Sequence, residues 1–264
     1  MVALGQRLAD AVRSMRGEVA VSVVDLQTGE AVAVNGDRQQ MAGCSDKIYI
    51  MMTLAKAIAA GEMREADVHA DVLEMMGPSE TPPARRIIAR LGNGDVAAGL
   101  RRVNAMTRAV GAARSIMTHP PGYYGEEYGY EVETGIIDNL VTTNDYNRAL
   151  ATLWKTDFFT PSEREYILWS MTIASIPLGH HKGIQLPLWG NPDATVYHKP
   201  GGMFEPDNTW ADTGIIAFTV NGHRYAYAIS VLAQHTSVIW ESRAYAARLS
   251  ALAWETMAAR YEYR

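Results

Sequence analysis

Residues 41–52 read MAGCSDKIYIMM, an apolar run opened by the only cysteine of the chain, Cys44, and by a lysine three positions on, Lys47. A lysine inside a core-facing helix costs free energy unless it has a partner or a task, so the pair is either chemistry or a solvated edge. With Cys44 in the first turn of a helix, the two side chains share a face at i and i+3, and Met51 and Leu54 or Ala55 continue that stripe inward. A helix N-terminus and a neighbouring ammonium both favour a thiolate, which makes the cysteine a nucleophile. Ser45 does not fit the same role: its i+3 residue is Ile48, and it is rotated about 100° off the stripe. A lone cysteine at a helix start is ordinarily a small hydrophobe, so the rest of the chain carries the decision.

On the N-terminal side, Leu4, Leu8, Val12 and Met15 fall on one face of an opening helix that Gly17 stops. EVAVSVVDL (18–26) alternates, QTGE supplies turn residues and AVAVNG (31–36) alternates again, which predicts a β-hairpin. On the other side the pattern turns helical, with segments at 44–60, 65–76, 83–92, 95–110, 143–154 and 162–173 separated by Gly, Pro and Asn clusters. The period returns to two after NPDATVYHKPGGM (191–203), in TGIIAFTVNGHRYAYAISVLAQ (213–234), where Asn221-Gly222 is a strong hairpin-turn signal. A helix from Glu241 to Tyr261 follows. This order predicts an α/β chain of the α+β type: an antiparallel sheet built from both chain ends and flanked by the terminal helices, with a helical lobe inserted. The sheet-containing lobe is expected at 1–43 with 186–264, and the helical lobe, carrying the nucleophile helix, at 44–185. A cleft is expected between them. HPPGYYGEEYGYEVETG (119–135) reads as one long surface loop, and loops of that length are often functional.

Composition excludes several function classes. The chain has 264 residues, 48% of them hydrophobic, and a formal charge of −5. Its basic residues are dispersed, whereas phosphate binding needs a concentrated basic footprint, so nucleic acid is not the expected partner. No run of about 18 apolar residues suits a membrane span, and the first residues lack the pattern of a secretory signal, so the expected compartment is the cytoplasm. A single cysteine fits that compartment, although a secreted chain trimmed of its signal reads the same. His180-His181 lacks metal-ligand spacing and reads as a polar loop; neither metal nor cofactor is expected. Oligomeric state is not encoded in these patterns.

Three motifs in order give the chain a wider resemblance. C-S-D-K at 44–47, S-E-T at 79–81 and K-P-G-G at 199–202 stand where the penicillin-recognising hydrolases, the class A β-lactamases and penicillin-binding proteins of the serine β-lactamase superfamily, carry S-x-x-K, S-D-N and K-T-G. The hairpin and run-in to Cys44, the segment VLEMMGPSETPPARRIIARLG, NLVTTNDYNRALATLW and the strand ADTGIIAFTV are similar too, so the resemblance covers most of the chain. It implies a transpeptidase-like fold and a covalent acyl-enzyme. It assigns attack on an acyl carbonyl to Cys44, proton transfer or charge to Lys47, a proton shuttle to Ser79, and local positive potential to Lys199. The N–H groups of Cys44 and Gly202 would form the oxyanion hole, with Gly201 beside them allowing close approach. Thr81, Pro200, Tyr124 and Tyr128 are the remaining substrate-site candidates. His198 alternates to the opposite face of the Lys199 strand.

The departures bear on the activity. Cysteine stands for serine, Thr81 for asparagine with a shorter reach and no amide fork, and Pro200 for threonine, which removes a hydroxyl and a backbone donor. No E-x-x-L-N signature is present; Glu126, Glu127, Glu131 and Glu133 lie in roughly the corresponding loop. The leading expectation is an acyl-transfer enzyme forming an acyl-thioester on Cys44: a biosynthetic acyltransferase, amidase or thioesterase acting on a small acyl or amide substrate, including one presented as a carrier-bound thioester. The alternatives are a β-lactamase-like hydrolase, including a Ser-to-Cys variant of a serine enzyme, and a non-catalytic ligand-binding descendant.

Overall fold

A computed structural model describes residues 1–122, 138–173 and 183–262. The chain opens with helix α1 (Val2–Arg13) and the strands β1 (Glu18–Asp25) and β2 (Ala31–Val34), followed by the two-residue strand β3 (Gln40–Met41). Helices α2 (Lys47–Ala59), α3 (His69–Met76), α4 (Thr81–Leu91) and α5 (Val96–Ala109) come next. Strand β4 (Leu140–Val141) leads into α6 (Thr143–Lys155) and α7 (Pro161–Ile173). The chain then returns to sheet in β5 (Ala194–Met203), β6 (Thr209–Val220) and β7 (His223–Gln234) before the last helix, α8 (Ile239–Arg260).

Five strands form one sheet in the order β2-β1-β7-β6-β5, antiparallel and built from both chain ends as the patterning predicts. The ends of the chain meet at its centre, where Glu18 pairs with Gln234 and Asp25 with Tyr227. The period of two sorts side chains by size between the faces. Val19, Val21, Val23, Ile216, Phe218, Ile229 and Val231 pack against Leu4 and Leu8 of α1 and Leu249, Ala253 and Met257 of α8. The opposite face presents mostly small residues, Ala20, Ala211, Ala217, Ala226 and Ala228, together with Ile215 and Leu232, against the helices. There Thr213, Ser230 and Asn147 form a buried chain, Thr213 Oγ1 lying 2.7 Å from Ser230 Oγ, which donates to Asn147 Oδ1 at 2.7 Å. This hydrogen-bonded chain docks α6 on the sheet.

Helix α2 is buried continuously from Lys47 to Ala55, as suits a helix apolar on every side but one. It starts three residues later than the helical pattern predicts. Gly43 has φ +54°, and the chain enters through tight i→i+3 turns, Ser45 N–H donating to Ala42 O and Tyr49 N–H to Asp46 O. Cys44 therefore sits in the turn ahead of the helix, not in its first turn. The segment read as one helix over 65–76 is a 3₁₀ turn at Glu65–Asp67 followed by α3. The β3–β4 pair is absent from the sequence-based expectation, because two residues carry no periodicity; it ties the run-in to Cys44 onto the entry to α6. Among the described residues no helix is long and apolar enough to cross a membrane, and no group of three His, Cys, Asp or Glu could hold a metal.

Candidate active site

Strand β5 is a sheet edge, and its outer side is pressed against the Cys44 turn, backbone on backbone. A Cβ on Gly201 would overlap the amide nitrogens of Cys44 and Ser45, and one on Gly43 would crowd Gly201 C and Gly202 N at 3.1 Å. Glycine at both positions allows this approach. It brings the amide nitrogens of Cys44 and Gly202 to the same seam, and the Cys44 N–H has no acceptor among the described residues. A carbonyl oxygen of a bound acyl group could take that vacant donor.

Cys44 is partly exposed at the seam. Ser45, the neighbouring hydroxyl, is buried and fully engaged: its Oγ donates to Ala42 O at 2.7 Å and lies 2.6 Å from Tyr146 Oη. Cys44 and Ser45 are therefore separated in environment, although both precede the helix whose register is expected from the sequence to distinguish them. Lys47 is completely buried, and its Nζ donates to Ser79 O at 2.6 Å, Glu80 O at 3.0 Å and Ser79 Oγ at 3.2 Å. Those three acceptors use all three ammonium protons. Ser79 reaches this position through a left-handed backbone, φ +69°, a conformation that strains a residue with a Cβ and that clusters at functional sites.

Lys199 enters from β5, equally buried, and donates to Ser79 Oγ at 2.8 Å and to Pro200 O at 2.8 Å. Ser79 Oγ thus bridges two lysines. Burial, followed by the charge of Lys47, pulls Lys199 down to about 7 from its ordinary 10.5, against weaker opposing effects of Cys44, Asp212 and Asp46. Near neutrality this lysine can both take and give a proton.

The remaining candidates fall in different places. Thr81 is the first residue of α4, and a Cβ on Gly122 would overlap its side chain, so it stands where the chain leads into the 123–137 segment. Pro200 pairs with Asp212, and its ring is tolerated because β5 is an edge. Tyr124 and Tyr128, with Glu126, Glu127, Glu131, Glu133 and the His180-His181 pair, lie outside the described residues. His198 faces away from Lys199: its Nδ1 is 2.8 Å from Asp212 Oδ1, whose Oδ2 accepts the Ile184 N–H at 3.1 Å. One residue that the sequence reading did not single out also belongs to this region. Asp46 is buried with Oδ2 accepting from Asn139 Nδ2 at 2.8 Å, and burial raises its carboxyl to about 7, against the opposing charges of Lys47 and His119. The available signal was an acid set between Cys44 and Lys47 in an apolar run, which reads more simply as a helix cap.

A family profile described as the Beta-lactamase enzyme family matches residues 3–69 and 71–257. Among solved structures, the chain is similar to a β-lactamase from Sphaerobacter thermophilus DSM 20745, with TM-score 0.77 and 17% identity over 97% of each chain. PBP-A aligns at TM-score 0.75 and 18% identity, over 97% of this chain and 96% of that one. The chromosome-encoded β-lactamase of Vibrio parahaemolyticus aligns at TM-score 0.78 and 14% identity, over 96% and 98%. No curated protein matches the sequence. At such identities the structures speak for the fold, while the profile spans nearly the whole chain. On that match, over nearly its whole length, this chain belongs to the β-lactamase enzyme family.

Proposed function

We propose that the protein is an acyl-transfer enzyme whose covalent nucleophile is Cys44. The observation that carries this reading is the convergence of Lys47, Ser79 and Lys199 beside a partly exposed thiol, while the adjacent Ser45 hydroxyl is locked into the core. Neutral Lys199 takes the thiol proton by way of Ser79, and Cys44 Sγ attacks the acyl carbonyl carbon. The carbonyl π pair moves onto oxygen, which the amides of Cys44 and Gly202 stabilise. Collapse breaks the bond to the leaving group, and the leaving group receives a proton from Ser79 Oγ, replenished from the Lys199 ammonium. An acyl-thioester on Cys44 remains. An acceptor amine then attacks it, its proton returns through the same relay, and the thiol is released.

A thioester is receptive to amines, so transfer suits this centre better than rapid hydrolysis. Donors in keeping with it are small activated amides, esters or carrier-bound thioesters, in a biosynthetic setting in the cytoplasm. Pro200 supplies no N–H and no hydroxyl where the family's motif has threonine, which disfavours recognition of a β-lactam carboxylate there.

Intact-protein mass spectrometry after brief incubation with β-lactams, activated esters and acyl-thioesters tests the proposal, with Cys44→Ala as control. The expected result is an acyl mass increase that the alanine variant loses, discharged faster when amines are added. Discharge at one rate with or without amines, together with faster turnover by Cys44→Ser, would instead identify a hydrolase. Absence of an adduct from every donor would leave a ligand-binding protein.

A further inference from the structure

The helix-cap position of α2 holds an acid that does not cap. Asp at such a position ordinarily accepts N–H groups of the first helical turn, but Asp46 adopts helical φ and ψ of −66° and −12° and its side chain accepts none. The carboxyl instead turns inward. Its Oδ2 accepts a single bond, from Asn139 Nδ2, and its Oδ1 is buried without a partner among the described residues. Asn139 is itself fixed on all sides: its Nδ2 also donates to His119 O at 3.0 Å, its Oδ1 accepts from Thr118 N at 2.8 Å and His119 N at 3.2 Å, and its carbonyl accepts from Ala42 N at 3.0 Å. The carboxyl is therefore held rigidly beside the nucleophile turn in an environment that opposes its ionisation. An asparagine would fit the same hydrogen bond at lower cost to the fold, so packing does not account for an acid here.

We propose that the Asp46 carboxylate sets the charge balance of the Cys44–Lys47–Lys199 centre, making Asp46 a positioning residue for the chemistry. Two ammonium groups that share one serine oxygen repel each other, and one of them must give up its proton more readily. The acid next to Lys47 in sequence bears on which: Lys47 already has three acceptors around its Nζ, while Lys199, with two and drawn down by burial, becomes the exchanging group. The charged and titratable groups around Asp46 are Lys47 and Tyr49 on α2, Tyr146 on α6, His119, Asp138 ahead of β4, and Lys199 on β5. Both phenols are pushed upward by burial and remain neutral at working pH. His119 is raised by its contacts with Asp138 and Pro120 against the opposing effect of burial, and it adds positive charge as pH falls.

The role of Asp46 as a positioning residue rests on Cys44 being the nucleophile, so the test uses a reaction that needs only the thiol. The rate of Cys44 alkylation by iodoacetamide is measured from pH 5 to 10 on the full chain for wild type and Asp46→Asn. Loss of the carboxylate makes every group in the centre release its proton more easily, so the profile moves to lower pH by about half a unit to one unit. Asp46→Ser, smaller and equally neutral, gives the same shift and serves if the asparagine variant does not fold. Profiles that superimpose would overturn the inference. Failure of the acyl-transfer proposal would show separately, as a normal alkylation profile in a wild-type protein that no acyl donor labels.

Discussion

At the scale of single residues, the site depends on a side chain that is absent. Gly201 lets β5 touch the Cys44 turn, and a methyl group there would meet two backbone nitrogens, neither of which can swing aside. Gly201→Ala should therefore pry the Cys44 and Gly202 amides apart and lower the acylation rate about 100-fold, the scale of losing one oxyanion donor. Stopped-flow acylation with an unchanged circular dichroism spectrum checks this; a variant that acylates at the wild-type rate would remove the two amides from the mechanism. The pairing of Cys44 with Lys47 can be read from their spacing, but the helical geometry assumed for it does not hold, since Cys44 lies in the turn ahead of α2. The two-lysine bridge has no local pattern and is implied only by the family resemblance: Lys47 and Lys199 meet at Ser79 Oγ through the left-handed backbone of Ser79 and the position of Lys199 on β5. Asp46 stays hidden for another reason: an acid at a helix start has an ordinary explanation that only the direction of its side chain removes.

At the scale of elements, patterning predicts the strands well because both sheet faces are buried and each needs its own residue size. The β6–β7 turn is a case in which local sequence suffices: Asn221 and Gly222 both have positive φ, 52° and 78°, as a two-residue hairpin requires. A Cβ on Gly222 would meet nothing within 4 Å, so Gly222→Ala isolates the conformational cost from any clash. It should destabilise the protein by about 1 kcal/mol, read as a lower urea midpoint with an unchanged slope. No loss would mean that the turn tolerates a side chain at this φ. Helix starts are less legible than strands. The α2 start shifts by three residues because glycine and tight turns, rather than a cap, determine where the helix begins.

At the scale of the molecule, the buried charges make stability depend on pH in opposite directions. Lys199 is depressed from 10.5 to about 7, so its contribution is complete above 10.5 and is lost as pH falls through 7. Asp46 is raised from 3.8 to about 7, so its contribution is complete below 3.8 and is lost as pH rises through 7. Both costs meet near neutrality. Lys199→Met should consequently raise the melting temperature at pH 7 relative to its effect at pH 10, while abolishing relay function; calorimetry at the two pH values measures the difference. A melting temperature lowered equally at both would mean that the lysine is held for packing alone. Such costs are expected where function, not folding, selects the residue.

The central β1–β7 ladder joins residues far apart in the chain, Glu18 and Gln234 being separated by 216 positions. A nascent chain that has reached only residue 198 already carries Cys44 and Lys47, but it has neither Lys199 nor the Gly202 amide, and β1 has no β7 to pair with. Its thiol then lies on an unfinished surface. On the proposed mechanism, acyl transfer arrives late in synthesis, together with the closing of the sheet, and a half-made chain is silent.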